Sequence, residues 1–296
     1  MRTNILHNLL VVVFFLLTSC GPIELIPEEI NGETQEEVNT EGDELYKEQK
    51  QWFKYLCSKS LGGRYSGSDG IKKAADYISS IINENSLERV SFEGKGVTME
   101  NLVYRVKGYS DSTIVFGAHY DAYGYANKNP LPGADDNISG VAVLLMMIKT
   151  INNEEVIPPY SLTFCFFDGE EIGRYGSYNF VLGNREPIKL YVNVDTCGSE
   201  EDYELTVSYN SSYPELRDKY LTLPERIGAL PIIEYATLGY TTDCEHFAKN
   251  KIPFLAIGPY KVPSYLHSPN DDISHISFSK LAIISKELVA LVTNNM

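Results

Sequence analysis

Residues 113–121 read Thr-Ile-Val-Phe-Gly-Ala-His-Tyr-Asp, and this stretch decides the fold. Its first six residues form a short apolar run, rich in β-branched and aromatic side chains, of the length expected for a buried strand. The run then ends abruptly in His119 and Asp121, which are polar residues capable of chemistry. A buried strand that ends in such residues is typical of an α/β sheet, where ligands collect outside the carboxyl ends of the strands.

Apolar runs of strand length alternate with helical patterns along the rest of the chain. The strand-like runs cover 101–106, 113–118, 162–167, 190–194, 205–208, 232–235 and 254–257. The helical patterns cover 45–60, 70–84, 139–151 and 278–292. This alternation predicts an α/β fold, a three-layer α/β/α sandwich around a mostly parallel, mixed central sheet.

Composition limits the class of protein. The chain has 296 residues, of which 43% are hydrophobic, and this content is enough for a sizeable core. Its formal net charge of −15 argues against a nucleic-acid-binding protein with a basic face.

The first 44 residues have the pattern of an exported, lipid-anchored protein. An apolar run at 9–17 follows Arg2 and leads into Leu-Thr-Ser-Cys at 17–20, which resembles a bacterial lipobox. We therefore expect a signal peptide over 1–19, lipidation of Cys20 and a flexible acidic tether over 20–44, followed by a single catalytic domain over 45–296. The predicted location is a membrane-anchored lipoprotein that faces the periplasm or the cell surface.

Histidines and carboxylates follow several of the predicted strands. They are His119, Asp121, Asp135, Asp136, Asp168, Glu170, Glu171, Asp195 and His267. Clustered carboxylates repel one another and are costly to bury unless a cation or a proton neutralises them. Two histidines with several carboxylates form the kind of site that zinc takes.

Spacing suggests a division of roles. His119 and Asp121 are two residues apart, so in an extended segment both side chains point to one side, and Asp121 can orient the imidazole. Glu170 and Glu171 are adjacent and point in different directions. One can bind a metal while the other acts as an acid or base.

These residues, in this order, resemble the co-catalytic di-zinc aminopeptidases, the bacterial leucyl aminopeptidase-like metallopeptidases related to glutaminyl cyclases. The resemblance rests on His119-x-Asp121, the Gly-Ala-Asp-Asp-Asn-x-Ser-Gly loop at 133–140, Glu170-Glu171, Asp195 and His267, and extends upstream to Gly-Arg-Tyr-Ser-Gly-Ser at 63–68. It implies a zinc-exopeptidase-like fold and two Zn²⁺ ions, with Co²⁺ or Mn²⁺ as substitutes.

The resemblance also implies a role for each matching residue. Asp136 bridges the two metals, Glu171 and His267 complete one site, and His119 and Asp195 complete the other. Glu170 is the general base toward a metal-bridging hydroxide, and Asp121 orients His119. A cis peptide is expected after the bridging aspartate, between Asp136 and Asn137. The substrates implied are peptides with a free N-terminus.

The roles of several other residues are not fixed by the sequence. Tyr240 is a candidate for stabilising the oxyanion, and Lys261 is a candidate substrate contact. Cys244 stands where the family usually has a histidine, a departure expected to change the pocket lining and not the metal ligands. The pairing of Cys57, Cys165, Cys197 and Cys244 stays undetermined.

Two other functions compete with the aminopeptidase. A glutaminyl-peptide cyclase shares the fold, but cyclases line their pocket with tryptophans, and the one tryptophan here is Trp52, far from every motif. A catalytically inactive, lipid-anchored binding protein is the second alternative, although such relatives lose ligands or the base and this chain keeps all of them.

Overall fold

The computed structural model describes residues 44–126, 129–200, 204–235 and 242–293. The predicted signal peptide, Cys20 and Tyr240 lie outside the described residues. Within those ranges, every helix is too short or too polar to cross a lipid bilayer.

An eight-stranded mixed sheet forms the centre of the structure. Its strands run in the spatial order β1-β2-β6-β3-β7-β10-β8-β9. Their bounds are β1 Leu87–Gly94, β2 Val97–Val106, β3 Ser110–His119, β6 Tyr160–Phe167, β7 Ile188–Val194, β8 Leu205–Asn210, β9 Leu230–Tyr235 and β10 Phe254–Pro259. A separate short ribbon pairs β4 Tyr125–Ala126 with β5 Asn129–Pro130. The strands β6, β3, β7 and β10 pair in parallel, while β1, β2 and β8 add antiparallel pairings.

Helices cover both faces of this sheet. The helices are α1 Glu44–Leu56, α2 Asp69–Ile82, α3 Ser139–Asn153, α4 Tyr175–Gly183, α5 Glu215–Tyr220, α6 Leu223–Arg226, α7 Cys244–Lys249 and α8 Phe278–Thr293. The larger apolar cluster joins one face to α1, α2, α3 and α8, and a smaller one joins the other face to α4 and α7. Neighbouring strand residues divide between them: Ile114 belongs to the larger cluster and Val115 to the smaller. The predicted three-layer α/β/α sandwich with a mostly parallel mixed sheet is confirmed.

Several elements differ from the prediction. The helix predicted over 45–60 ends at Leu56, and a short 3₁₀ turn, Lys59–Leu61, follows it. The sequence pattern did not indicate β1, because its residues are mostly exposed and carry no apolar alternation. It also missed α4, whose nine residues form no apolar stripe along one side.

The topology brings the predicted site residues to one edge. Strands β3, β6 and β7 are neighbours and parallel, so their carboxyl ends meet. Strand β3 ends at His119 itself. Strand β6 ends at Phe167, directly before Asp168, and β7 ends at Val194, directly before Asp195. The π-helical turn Ala134–Ile138 leads into α3 at the same edge, where Asn137 donates a 3.0 Å hydrogen bond to the carbonyl of Val194.

Candidate metal centre

The first group of converging ligand atoms comes from three elements. The Nε2 atom of His119 lies 3.1 Å from Oδ1 of Asp136 and 3.5 Å from Oδ1 of Asp195. His119 ends β3, Asp136 lies in the turn before α3, and Asp195 follows β7. These three donor atoms lie within 4.8 Å of one another, a spacing that one cation can span.

The second group shares Asp136 with the first. The Nε2 atom of His267 lies 3.0 Å from Oδ2 of Asp136 and 3.2 Å from Oε2 of Glu171. Asp136 therefore turns one carboxylate oxygen toward each histidine. The structure brings together all five residues predicted as metal ligands, in two triads joined by the residue expected to bridge them.

Asp121 connects the first histidine to the two glutamates. The Nδ1 atom of His119 lies 3.3 Å from the carbonyl oxygen of Asp121 and 3.5 Å from its Oδ1. The carboxylate also accepts hydrogen bonds of 3.1 Å from the backbone N–H groups of Glu170 and Glu171. Asp121 thus lies in contact with His119 and also fixes the turn that carries both glutamates.

A buried hydrogen-bond network holds the loop that carries Asp136. The carboxylate of Asp271 accepts from the backbone N–H groups of Asp135, at 2.7 Å, and Asp136, at 3.2 Å. The Asp135 carboxylate in turn accepts from the hydroxyl of Tyr265 and the N–H of Gly198, both at 2.7 Å. The peptide bond between Asp136 and Asn137 is cis, as predicted.

Arg64 supports the same loop from behind. Arg64 is 1% exposed, and its guanidinium donates hydrogen bonds of 2.7 to 2.9 Å to the carbonyls of Leu56, Tyr120, Pro132 and Gly133. One side chain therefore ties the end of α1 to both segments that carry ligands.

His267 is held differently from His119. It lies in an exposed loop with a positive φ of 53°, and its ring stacks on the ring of Tyr123 with centroids 4.2 Å apart and planes inclined by 8°. Tyr123 is 54% exposed and follows the His119–Asp121 segment directly. An aromatic stack thus orients the second histidine.

Burial and clustering shift the pKa values of these groups. Burial raises the pKa of Glu171 to about 7 and that of Glu170 well above its ordinary range. Hydrogen bonding to Asp136 and Glu171 raises the pKa of His267 to about 10. Burial works against the charge of Asp136, but His119 and His267 together hold the pKa of its carboxyl below the ordinary value. Without a cation, the cluster must retain protons to limit its negative charge.

The donor set fits zinc. Imidazole nitrogens and carboxylate oxygens are the usual zinc ligands outside thiolate sites. The second carboxylate oxygen of Glu171, Oε1, is buried and has no hydrogen-bond partner. An orphaned buried carboxylate oxygen beside a histidine is costly to leave unpaired, and a cation at this triad removes that cost.

A cavity of about 630 Å³ opens above both triads. Glu170 lines it beside the ligands, and so do Cys244 and Leu266. Lys261 is exposed, lies over the ring of Tyr260, and is not among the described residues that line the cavity. The thiols of Cys57, Cys165, Cys197 and Cys244 are all free, and none of them belongs to either ligand triad.

Comparison with known proteins places the chain in a family. The profile of peptidase family M28 matches residues 101–292, which are 192 of the 296 residues and include every predicted site residue. The chain belongs to peptidase family M28. A probable leucine aminopeptidase of Arthroderma otae is 27% identical over 245 residues, which cover 75% of this chain and 65% of that protein. A probable leucine aminopeptidase of Trichophyton verrucosum is 28% identical over 210 residues, which cover 65% of this chain and 55% of that protein.

The chain thus spans between about half and two thirds of the length of these relatives. Solved structures show the same fold. A zinc aminopeptidase from Bacillus subtilis superposes with a TM-score of 0.68 at 16% identity, covering 83% of this chain and 94% of that one. A glutaminyl cyclase from Bacteroides thetaiotaomicron superposes equally well, with a TM-score of 0.68 at 17% identity and coverages of 84% and 98%. The M28 fold alone therefore does not separate the two activities.

Sequence reasoning missed several residues that support the site. The contacts by which Tyr123, Asp135 and Asp271 support the site were not predicted. Arg64 was noted only as part of an upstream motif. The stack of Tyr123 on His267 joins segments 144 residues apart and leaves no local signal.

Proposed function

We propose that the chain is a zinc-dependent aminopeptidase that removes N-terminal residues from peptides. The observation that carries this proposal is the pair of ligand triads sharing Asp136 at the base of one cavity, with Glu170 on the cavity wall beside them. The number of ions proposed is two, one for each triad, with Co²⁺ or Mn²⁺ as substitutes. The similarity to leucine aminopeptidases and to the fold of a zinc aminopeptidase supports the proposed aminopeptidase activity.

Each residue then has a defined task. His119 and Asp195 with Asp136 would hold one ion, and His267 and Glu171 with Asp136 would hold the other. Bound zinc supplies Lewis acidity, which lowers the pKa of a water molecule and polarises a carbonyl. The Glu170 carboxylate takes a proton from the attacking water and delivers it to the nitrogen of the leaving amine as the C–N bond breaks. Burial raises the pKa of Glu170 above its ordinary range, which favours acceptance of a proton.

A free N-terminus suits this cavity. Glu170, Glu171, Asp136 and Asp195 all line it, and Arg174, a cation on its wall, is bound to Glu245 at 2.8 Å. Asp136, Asp195 and Glu171 are proposed zinc ligands whose charge the ions offset, so Glu170 is the carboxylate of this set that is left to attract the cationic amine of a substrate.

A peptide assay tests the proposal. The purified full chain, supplied with zinc, is incubated with peptides that carry free, N-acetylated or glutaminyl N-termini, and the products are read by mass spectrometry. Stepwise loss of residues from the free peptides only is the expected result. Loss of ammonia from glutaminyl peptides without cleavage would instead identify a cyclase, and no reaction with metal bound would favour a binding protein.

We also propose that the chain is an exported bacterial lipoprotein anchored through Cys20. The apolar run at 9–17 and the residues before Cys20 support this proposal. Lipid should label the wild-type chain in cells and should be absent from Cys20→Ala. Equal labelling of both would contradict the anchor.

A further inference from the structure

A serine hydroxyl lies between two buried carboxyl groups close to the candidate metal centre. The Oγ atom of Ser66 is 2.7 Å from Oδ1 of Asp168 and 3.4 Å from Oδ2 of Asp121. All three residues are at most 2% exposed. The Asp121 carboxylate is the group that accepts from the backbone N–H groups of Glu170 and Glu171. Ser66 therefore contacts the group that fixes the turn carrying both glutamates.

The backbone places Ser66 at this point. The N–H of Ala122 donates a 3.1 Å hydrogen bond to the carbonyl of Arg64. Asp121 directly precedes the first of these residues, and Ser66 lies two residues after the second. Asp168 directly follows β6, the strand that pairs with β3. The contacts of the serine hydroxyl therefore join the segment before α2 to the ends of two neighbouring strands.

The two contacts of the hydroxyl need two hydrogen atoms. Ser66 supplies one, so its hydroxyl cannot donate fully to Asp168 and to Asp121 at the same time. A proton on one of the carboxyl groups supplies the second hydrogen, because that carboxyl group can then donate to the serine oxygen. The same proton removes the repulsion between two buried anions.

The surroundings of the two carboxyl groups decide which one holds the proton. Asp121 accepts from two backbone N–H groups and faces Nδ1 of His119, and these contacts favour its charged form. The described contacts of the Asp168 carboxyl include one backbone N–H, that of Glu100, which lies 3.1 Å from Oδ2. The proton therefore belongs on Oδ1 of Asp168, the oxygen that faces Ser66. Burial, followed by the charge of Asp121, raises the pKa of Asp168 to about 7, which agrees with this placement.

From this geometry, and resting on the proposed aminopeptidase function, we propose that Ser66 and Asp168 are positioning residues for the general base. The Asp168 carboxyl donates to the Ser66 oxygen, and the Ser66 hydroxyl donates to Asp121. Asp121 in turn holds the backbone of Glu170 and Glu171. Glu171 would also be tied by the metal that it binds, whereas Glu170 belongs to neither ligand triad. The chain of hydrogen bonds therefore acts on the base more than on metal binding.

Ser66→Ala tests the positioning role. In the zinc-supplied full chain, kcat on a peptide with a free N-terminus should fall about tenfold or more, because a small displacement of the base is costly. KM and the zinc content should stay close to those of the wild type. Ser79→Ala is the matched control, since Ser79 is 4% exposed and its hydroxyl donates to the carbonyl of Ala75 within α2 at 2.7 Å. A wild-type kcat in Ser66→Ala would overturn the proposal.

Two variants of Asp168 test the place of the proton. In Asp168→Asn, the amide nitrogen can donate to Ser66 as the protonated carboxyl does, and the amide oxygen can still accept from the N–H of Glu100. Asp168→Ala loses both bonds. We therefore expect Asp168→Asn to retain at least about ten times the kcat of Asp168→Ala. An equal loss of kcat in the two variants would overturn the proton assignment.

Failure of the proposed function is distinguishable from failure of this inference. If no peptide is cleaved, the aminopeptidase proposal fails, and infrared spectroscopy tests the hydrogen-bond chain without turnover. At about pH 5, where an ordinary aspartate is ionised, the difference spectrum between the wild type and Asp168→Asn should contain the C=O band of a protonated carboxyl group. Carboxylate bands in its place would overturn the inference.

Discussion

Glu170 and Glu171 show how two adjacent carboxylates receive different tasks. Both backbone N–H groups bind the carboxylate of Asp121, but only Glu171 has an oxygen, Oε2, 3.2 Å from His267. Glu170 lines the cavity and belongs to neither ligand triad. Position within the turn, and not residue type, separates the proposed ligand, Glu171, from the proposed base, Glu170.

Glu170→Gln should therefore separate metal binding from catalysis. The variant cannot accept a proton, so kcat should fall by about 10²- to 10⁴-fold. Zinc content, measured by plasma mass spectrometry, should equal that of the wild type. Glu93→Gln, an exposed position on β1, is the control for the change of charge. Substantial turnover by Glu170→Gln would remove its role as base.

Tyr123 gives a second test at the scale of a residue. Because its ring stacks on His267 at 4.2 Å, Tyr123→Leu should weaken zinc binding by about three- to tenfold, the range of an aromatic pair. Tyr123→Phe keeps the ring and should bind zinc as tightly as the wild type. Competition against a chelator measures both affinities. Equal affinity in the leucine variant would show that the stack does not position His267.

The turn before α3 is the element on which the site depends most. The Oδ1 atom of Asn137 accepts from the N–H groups of Gly140 and Thr196, at 2.9 and 3.2 Å, and so joins the start of α3 to the segment after β7. A Cβ atom on Gly140 would lie 2.2 Å from the carbonyl oxygen of Val194. This close approach requires a glycine.

Gly140→Ala should destabilise the protein by about 1–3 kcal/mol, the usual cost of overpacking. Denaturant unfolding of the zinc-free chain measures it. Gly183→Ala is the matched control, because a Cβ atom there has nothing within 4 Å and the helix gains a better helix former. If the two variants unfold alike, the packing at the start of α3 is looser than the structure indicates.

The same elements show what can be predicted from sequence. Strands β3 and β6 were predictable because both are largely buried and contain near-continuous apolar runs. The polar residues that follow these runs predicted the ligands, because ligands collect outside the carboxyl ends of the strands in an α/β sheet. Strand β1 was not predictable, since an exposed edge strand carries no burial pattern.

The hydrogen bonds that hold the predicted ligand residues in place were harder to predict than the ligand residues themselves. The bond from the N–H of Asp136 to the carboxylate of Asp271 spans 135 residues and exists only once the fold has formed. Local spacing carries no signal for such contacts.

At the scale of the whole molecule, buried carboxyl groups couple stability to pH. Burial raises the pKa values of Asp168, Asp243 and Asp271 each to about 7. Between the ordinary value of 3.8 and about 7, the folded chain holds protons that the unfolded chain has released. The free energy of unfolding must therefore decrease as pH rises through this window. His267, with a pKa raised to about 10, continues the decrease above its ordinary value of 6.5.

The metal-free chain should accordingly have a Tm at least about 5 °C lower at pH 8 than at pH 5. Zinc should reduce this difference, because the cation replaces protons at the site. Asp243→Asn cannot titrate and should flatten the profile of the metal-free chain. Differential scanning calorimetry measures all three. A Tm that rises from pH 5 to pH 8 without metal would contradict the raised pKa values.

The central claim is that two cations share Asp136. Diffraction from zinc-soaked crystals on both sides of the zinc absorption edge tests it most directly. The account predicts two anomalous peaks, one at His119, Asp136 and Asp195 and the other at Asp136, Glu171 and His267. A single peak, or a pair of peaks of which only one contacts Asp136, would contradict the claim.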